Sequence, residues 1–123
     1  MSFSEFSNRW VHRTSAMLAV IVGAITATAI CAAADVPSAT IEITKFAFAP
    51  KDITVAPGTR VQWVNHDEAP HTVMSSQGQP KVIASKAMDT DDRFELTLAN
   101  EGDYSYYCTV HPFMTGVIHV RKQ

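Results

Sequence analysis

The chain has 123 residues and a formal charge of −2 at pH 7, which is the length of a single domain of ordinary size. Apolar residues make up 46% and charged residues 18%, so the composition is not that of a disordered chain. Ten basic side chains against twelve acidic ones leave no basic surface for DNA or RNA, and we expect no nucleic-acid partner. Two cysteines are too few for a disulfide-rich secreted scaffold.

The first part of the chain, residues 1–34, has the pattern of an export signal. Arg9 and Arg13 precede 21 consecutive uncharged residues that end in three alanines, the last being Ala34. A basic start, an apolar middle and a small-residue end are the parts of a secretory signal peptide, so we predict Sec-type export and cleavage after Ala34. An uncleaved membrane anchor is the alternative, because about 20 apolar residues can span a bilayer. Either way, we expect residues 35–123 in the periplasm.

Residues 35–123 are the predicted working domain, and they carry eleven acidic and eight basic side chains. A domain of this size buries a small core, so a covalent or metal cross-link usually contributes to its stability. The single cysteine of this segment, Cys108, has no second cysteine beside it for an intramolecular disulfide. In an exported protein such a cysteine is reactive, paired with another chain, or a metal ligand.

Seven short segments of this domain alternate polar and apolar residues or are rich in β-branched and aromatic residues, as β-strands are. In chain order they are residues 40–44, 53–55, 60–65, 71–74, 93–98, 104–108 and 116–120. Turn signals separate them, among them residues 57–58, 75–80 and 89–92. The predicted fold is all-β, a Greek-key β-sandwich of about seven to eight strands. Residues 82–88 have room for one turn of helix, and Tyr104 fits a tyrosine corner.

Three residues near the C-terminus carry donor atoms for a metal: Cys108, His111 and Met114. Each lies three positions from the next, so one short loop can bring a thiolate, an imidazole and a thioether around one point. His71 is a fourth donor, because loops from distant strands cluster at the same end of a sandwich. One Cys, two His and one Met are the ligands of blue copper sites. Zinc is the alternative metal, but a thioether is not among its usual ligands, so copper is favoured.

The segments around these donors resemble those of the cupredoxins, the type 1 blue copper proteins that include amicyanins and plastocyanins. The resemblance extends over residues 40–122, and it is carried by residues 48–65, 70–71, 102–104 and 108–114. The two residues between Cys and His, and the two between His and Met, give the short loop that amicyanins have. Val110 departs from the pattern, since amicyanins usually carry a proline there.

This resemblance implies a role for each residue of the site. It implies that one copper ion is held by four side chains: His71, Cys108, His111 and Met114. Both histidines would bind through Nδ1. Asn65 would tie the ligand loop to its neighbouring strand, as residues around metal ligands do. The exposed edge of His111 would be the electron port, and Pro112 and Phe113 would form an apolar docking patch beside it.

The function implied is the transfer of single electrons between periplasmic redox proteins by Cu(II)/Cu(I) cycling. We expect no enzyme activity and no small-molecule substrate, because protein side chains fill all four ligand positions. The resemblance to amicyanins implies an amine dehydrogenase as electron donor and a c-type cytochrome as acceptor, and we expect a monomer. The alternative is a periplasmic protein that stores, delivers or senses copper. A catalytic Cys–His pair is disfavoured, because no orienting third residue is readable.

Overall fold

The computed structural model of the protein describes residues 34–123, in which eight β-strands make two sheets. The strands are β1 (Ser38–Thr44), β2 (Ala47–Ala49), β3 (Asp52–Val55), β4 (Thr59–Asn65), β5 (Met74–Ser75), β6 (Arg93–Leu98), β7 (Gly102–Tyr107) and β8 (Thr115–Val120). No helix in residues 34–123 is long and apolar enough to cross a bilayer. The signal segment predicted for residues 1–34 lies outside the described residues, apart from Ala34.

Each sheet has four strands, in the orders β2-β1-β4-β6 and β3-β8-β7-β5. The pairs β1/β4 and β3/β8 are parallel, and all other neighbours are antiparallel. Parallel neighbours cannot be joined by a tight hairpin and need a longer crossover connection. Here the chain crosses between the sheets at every step from β2 to β7. The all-β sandwich of seven to eight strands predicted from the sequence is therefore confirmed.

The core lies between the inner faces of the two sheets. Trp63 of β4 and Tyr106 of β7 are fully buried, with ring centroids 5.5 Å apart and an angle of 85° between the rings. Phe48 of β2 packs edge-on against Tyr106 at 4.8 Å. Aromatic pairs of this geometry contribute about 0.5–1.5 kcal/mol each beyond the area that they bury. Ile41 and Ile43 enter the same core from β1, as the alternation of that strand predicts.

Three local features differ from the sequence-based expectation. β2 was not among the predicted strands, because with Phe48 as its one buried residue it is too short to show a period. The strand predicted for residues 71–74 shrinks to β5, since His71 makes only an isolated bridge with Met88. The turn of helix for which residues 82–88 have room does not form, because that segment contains two such bridges and no helix.

The last two strands, β7 and β8, flank the loop that carries three of the four predicted metal ligands. β7 ends at Tyr107, and the loop of residues 108–114 leads directly into β8. At the other end of β7, the Tyr104 hydroxyl donates a hydrogen bond to the carbonyl of Asn100 at 2.8 Å, which confirms the predicted tyrosine corner. The connection into β7 is therefore fixed at one end, and the metal-ligand loop begins at the other.

Candidate metal centre

Three of the predicted ligands meet at one end of the sandwich. His71 Nδ1 lies 3.7 Å from Cys108 Sγ and 3.1 Å from His111 Nδ1, and Cys108 Sγ lies 4.0 Å from His111 Nδ1. The side chains of His71 and Cys108 are fully buried, and His111 is half-buried. The loops that gather at one end of the sandwich thus bring together His71 and Cys108, which are 37 positions apart in the chain.

The separations of these donors suit a single bound ion. A metal bonded at about 2.0 Å to histidine nitrogen and about 2.3 Å to cysteine sulfur, in a trigonal plane, needs donors about 3.5–3.8 Å apart. The observed separations of 3.1–4.0 Å bracket that range. A soft sulfur with two imidazoles suits copper, whereas Mg²⁺ and Ca²⁺ prefer oxygen ligands. The residues present therefore fit a copper ion.

Backbone and side-chain contacts both fix the ring of His71. Its backbone N–H donates to the carbonyl of Met88 at 3.1 Å, and its carbonyl accepts from the Met88 N–H at 2.8 Å. Its Nε2 lies 2.9 Å from a carboxylate oxygen of Asp67. An ionised carboxylate only accepts hydrogen bonds, so Nε2 of His71 carries the proton. Nδ1 is then the ring nitrogen with a lone pair for a metal, and it is the one that lies beside Cys108 Sγ and His111 Nδ1.

The carboxylate of Asp67 is ionised in the folded protein. Burial raises its pKa, but hydrogen bonds from the Phe46 N–H, the His71 ring and the Lys45 N–H together lower it by more, so the pKa lies below the usual value of 3.8. Sequence reasoning did not find Asp67, because an acidic residue in a polar loop is usually solvated. Its position four residues before His71 is the one signal that could have indicated it.

Two backbone N–H groups point at the sulfur of Cys108. They belong to Thr72 and His111, and each nitrogen lies 3.4 Å from Sγ. The Thr72 hydroxyl also accepts from the Thr109 N–H at 2.8 Å, and the two threonine hydroxyls are 2.7 Å apart. Hydrogen bonds of this kind orient a ligand sulfur and tune the metal that it binds. Thr72 thus joins the two ligand-bearing segments, and sequence reasoning did not find it either.

The loop of residues 108–114 is folded back on itself by its own backbone. The Cys108 N–H donates to the carbonyl of Met114 at 3.1 Å, and the Met114 N–H donates to the carbonyl of His111 at 2.9 Å. The Met114 side chain is buried, with 2% of its surface exposed. The loop therefore holds all three of its predicted ligands in one compact turn, and the binding of the Met114 thioether stays a prediction.

Asn65, at the end of β4, is fully buried and hydrogen-bonded through both ends of its amide. Its Nδ2 donates to the carbonyls of Ala69 at 3.0 Å and Met88 at 2.9 Å, and its Oδ1 accepts from the Asp67 N–H at 2.9 Å. These bonds connect the loop before His71 to the segment that pairs with His71. Asn65 thus contacts the surroundings of a ligand through backbone groups, and its role in metal binding stays a prediction.

Exposed apolar side chains surround the outer edge of His111. Phe113 is 72% exposed, Val110 48% and Phe46 44%, and Pro112 is exposed beside them. The rings of Phe46 and Phe113 meet the His111 ring edge-on, with centroids 5.0 Å and 6.1 Å away. Phe46 belongs to the turn between β1 and β2, and sequence reasoning did not place it here. Exposed apolar groups of this kind mark contact surfaces.

A two-sheet β-sandwich with one thiolate and two imidazoles gathered at one end defines the class of the cupredoxins, the small copper-binding β-sandwich proteins. Comparison with known families agrees: residues 36–121 match the family described as copper binding proteins, plastocyanin/azurin family. The chain belongs to this family. The family and the donor set together identify copper as the ion that the site binds.

Individual relatives support the same assignment. The chain is 34% identical over 93 residues to amicyanin of Paracoccus versutus, a match that covers 72% of this chain and 70% of that protein. The crystal structure of amicyanin from Paracoccus versutus superposes with a TM-score of 0.62 at 30% identity, covering 72% of this chain and 84% of that one. The resemblance to amicyanins inferred from the ligand loop is thus confirmed.

A larger protein contains a similar fold. A copper-containing nitrite reductase from Thermus scotoductus superposes with a TM-score of 0.65 at 27% identity, covering 71% of this chain. This chain spans only 23% of that protein. The similarity is therefore to one portion of the enzyme's chain.

Proposed function

We propose that this protein is a type 1 blue copper electron carrier, which passes single electrons between redox proteins and catalyses no reaction of its own. The observation that carries the proposal is the set of donors from buried His71, buried Cys108 and half-buried His111, which lie 3.1–4.0 Å apart. A cysteine and two histidines with a weak methionine donor are the ligands of electron-transfer copper sites, whereas structural zinc sites lack the thioether. In this proposal Met114 is the fourth ligand.

Copper held by these side chains supplies a one-electron couple between Cu(II) and Cu(I). The contribution of the protein is to keep the donors in one arrangement throughout. Two sets of hydrogen bonds do this. The backbone of His71 is bonded to that of Met88, and the N–H groups of Thr72 and His111 hold the Cys108 sulfur in place. Because the donors and dipoles are positioned in advance, electron transfer requires little rearrangement.

The half-buried ring of His111 is the proposed electron port. Of the ligands, it is the one that reaches the exposed apolar group made by Val110, Pro112 and Phe113. Apolar contact there would bring a partner's redox centre close to the His111 ring. Pro112 and Phe113 therefore form the proposed docking patch.

The proposed partners are other redox proteins outside the cytoplasm. The similarity to amicyanins supports an amine dehydrogenase as donor and a c-type cytochrome as acceptor. Residues 1–34 are proposed to be a signal peptide that directs the chain to the periplasm and is then removed, which leaves a domain of residues 35–123 that acts as a monomer.

Protein-film voltammetry combined with a chelator assay tests this function against copper storage or delivery. A carrier gives a reversible one-electron wave and keeps its copper in both oxidation states when challenged with a chelator. Copper release to the chelator without a reversible wave would contradict electron transfer and favour delivery.

Electron self-exchange between copies of the protein tests the port. Phe113→Asp places a negative charge on the docking patch of both copies, and we expect the self-exchange rate to fall by about tenfold or more while the reduction potential changes little. Val36→Asp is the matched control, because Val36 is also exposed but precedes the end of β1 that pairs with Arg60, away from the ligand loops. Equal slowing in both variants would contradict the assigned port.

A further inference from the structure

Asp67 contacts three separate groups at the metal-binding end. Its Oδ2 lies 2.9 Å from His71 Nε2 and 2.9 Å from the backbone nitrogen of Phe46. Its Oδ1 lies 2.7 Å from the backbone nitrogen of Lys45. The side chain is only 13% exposed, so these three donors replace most of the water that a carboxylate otherwise binds. Asp67 is an almost enclosed anion directly behind one proposed ligand.

The turn that Asp67 accepts from has an unusual backbone. Lys45 and Phe46 are the two residues of the hairpin turn between β1 and β2, and both have positive φ, 52° and 56°. Such turns favour glycine, asparagine and aspartate, which neither residue is. The turn is therefore held from outside, by the two hydrogen bonds that its N–H groups donate to Asp67.

The side chain presented by this turn covers both proposed histidine ligands. The Phe46 ring lies edge-on to His71 at 5.5 Å and 83°, and edge-on to His111 at 5.0 Å and 82°. One carboxylate thus fixes the ring of His71 directly and, through the turn, fixes the ring that packs on both histidines.

We propose that Asp67 is a positioning residue of the copper site, which holds His71 as its Nε2–H tautomer, places a negative charge behind it and holds Phe46 over both histidines. The part that concerns redox behaviour rests on the proposed function. A carboxylate behind a ligating histidine makes that histidine more basic. Its charge also favours the more positive state of a bound ion, so Asp67 lowers the reduction potential.

The reduction potential of Asp67→Asn tests this role, since the change removes the charge and keeps the shape. We expect the equilibrium to move toward the reduced state by about tenfold, which is about 59 mV upward for a one-electron couple. Glu68→Gln is the matched control, because it removes the same charge from the next residue, whose exposed side chain makes no hydrogen bond in the part of the chain described. Solvent screens that charge, so its shift should be much smaller.

Amide hydrogen exchange in the copper-free protein gives a second readout. We expect the amides of Lys45 and Phe46 to be protected in the wild type and in Glu68→Gln, and to lose at least part of that protection in Asp67→Asn. In the wild type, NMR should show a slowly exchanging proton on His71 Nε2, a measurement that needs no variant to fold.

The outcomes separate this proposal from the proposed function. A potential shift in Asp67→Asn no larger than that in Glu68→Gln would overturn the positioning role while leaving electron transfer intact. A wild-type protein without a reversible wave would overturn electron transfer, and the exchange data would then decide the role of Asp67. Unprotected Lys45 and Phe46 amides together with a rapidly exchanging His71 proton in the wild type would overturn it in either case.

Discussion

Asn65 shows how a buried amide can hold a ligand loop without touching a ligand. Its two donors and one acceptor are bonded to the backbone of Ala69, Met88 and Asp67. In Asn65→Ala the Ala69 carbonyl and the Asp67 N–H lose this partner, and the Met88 carbonyl keeps only its bond from the His71 N–H. Each buried polar group left unpaired costs about 1–3 kcal/mol. We expect the free energy of unfolding to fall by roughly 2–4 kcal/mol, measured by denaturant titration of the copper-free protein.

The variant Asn65→Asp is the control for this effect. It keeps the acceptor for the Asp67 N–H but places a carboxylate oxygen against the two carbonyls. We expect it to be at least as unstable as Asn65→Ala, since two acceptors then face each other. A near-neutral effect of either change would show that the loop does not depend on this side chain.

At the level of residues, the sequence predicts the donor residues and Asn65, but it does not indicate Asp67 and Thr72, which contact the donors. Cys108, His111 and Met114 are recognisable because their chemistry and their regular spacing coincide in seven residues. Asp67 and Thr72 have no such pattern. Their roles arise from contacts with the Lys45–Phe46 turn and with Thr109, and only the folded chain makes these contacts.

A tyrosine side chain of β7 covers the residue that it faces on β8 and leaves no room there for a side chain. Gly116 of β8 pairs with Tyr106 of β7, and a Cβ placed on Gly116 would overlap the Tyr106 hydroxyl and ring. Tyr106 is fully buried and cannot swing away. We expect Gly116→Ala to lower the free energy of unfolding by about 1–3 kcal/mol, as overpacked cores do, measured by thermal and denaturant unfolding.

The neighbouring residue gives the matched control. Thr115 lies on the same strand and is exposed, so Thr115→Ala should change stability by no more than about 0.5 kcal/mol. If Gly116→Ala were as mild as Thr115→Ala, the close packing of the Tyr106 ring on Gly116 would be contradicted.

The same pair of strands carries an ionic contact that responds to pH. Asp103 of β7 lies opposite His119 of β8, and its Oδ1 is 2.6 Å from both His119 Nδ1 and Arg121 Nη2. Hydrogen bonds from His119, and then from Arg121, hold the pKa of Asp103 below 3.8. A lowered carboxyl pKa adds stability that is present above the unfolded-state pKa and is lost as the pH falls through the folded-state pKa.

We therefore expect Asp103→Asn to be less stable than the wild type at about pH 6, and the difference to be smaller at about pH 2. The contact is exposed, so added salt should narrow the difference at the higher pH. Denaturant midpoints at the two pH values measure this effect. A difference that was as large or larger in acid would contradict the role of the ionised carboxylate.

At the level of strands, alternation predicts long elements well and short ones badly. The predicted boundaries of β6 match the structure, because six residues give three full periods. β2 and β5, with three and two residues, have too few to show a period. The segment around His71 has strand-like residues, yet its backbone bonds to Met88 and Ser85 rather than to a strand. Tertiary contacts decide such segments.

The whole domain is small, and copper should contribute measurably to its stability. An ion that binds only the folded state stabilises it by about 2.7 kcal/mol at a concentration of 100 times Kd. We expect calorimetry to show that copper raises Tm by roughly 10–20 °C over the chelated protein. Cys108→Ser should lose most of this rise. Equal Tm values with and without copper would contradict a site formed only on folding.

At the level of the whole molecule, the sandwich could be predicted but its pairing could not. Alternation indicates two half-buried sheets, and turn signals separate the strands. The parallel pairing of β1 with β4 joins residues that are more than twenty positions apart. That His71 and Cys108 meet at one end follows from the clustering of loops at the ends of a sandwich, and the family resemblance agrees with it; periodicity alone does not indicate it.

The most direct test of the central claim is the visible spectrum of the protein after addition of one equivalent of Cu(II). A thiolate from Cys108 bound to copper predicts an intense charge-transfer band in the wild type. Cys108→Ser should lack that band while circular dichroism shows the same β-sheet content. A wild type that stays colourless when loaded with copper, or a Cys108→Ser variant that keeps the band, would contradict the assigned copper site.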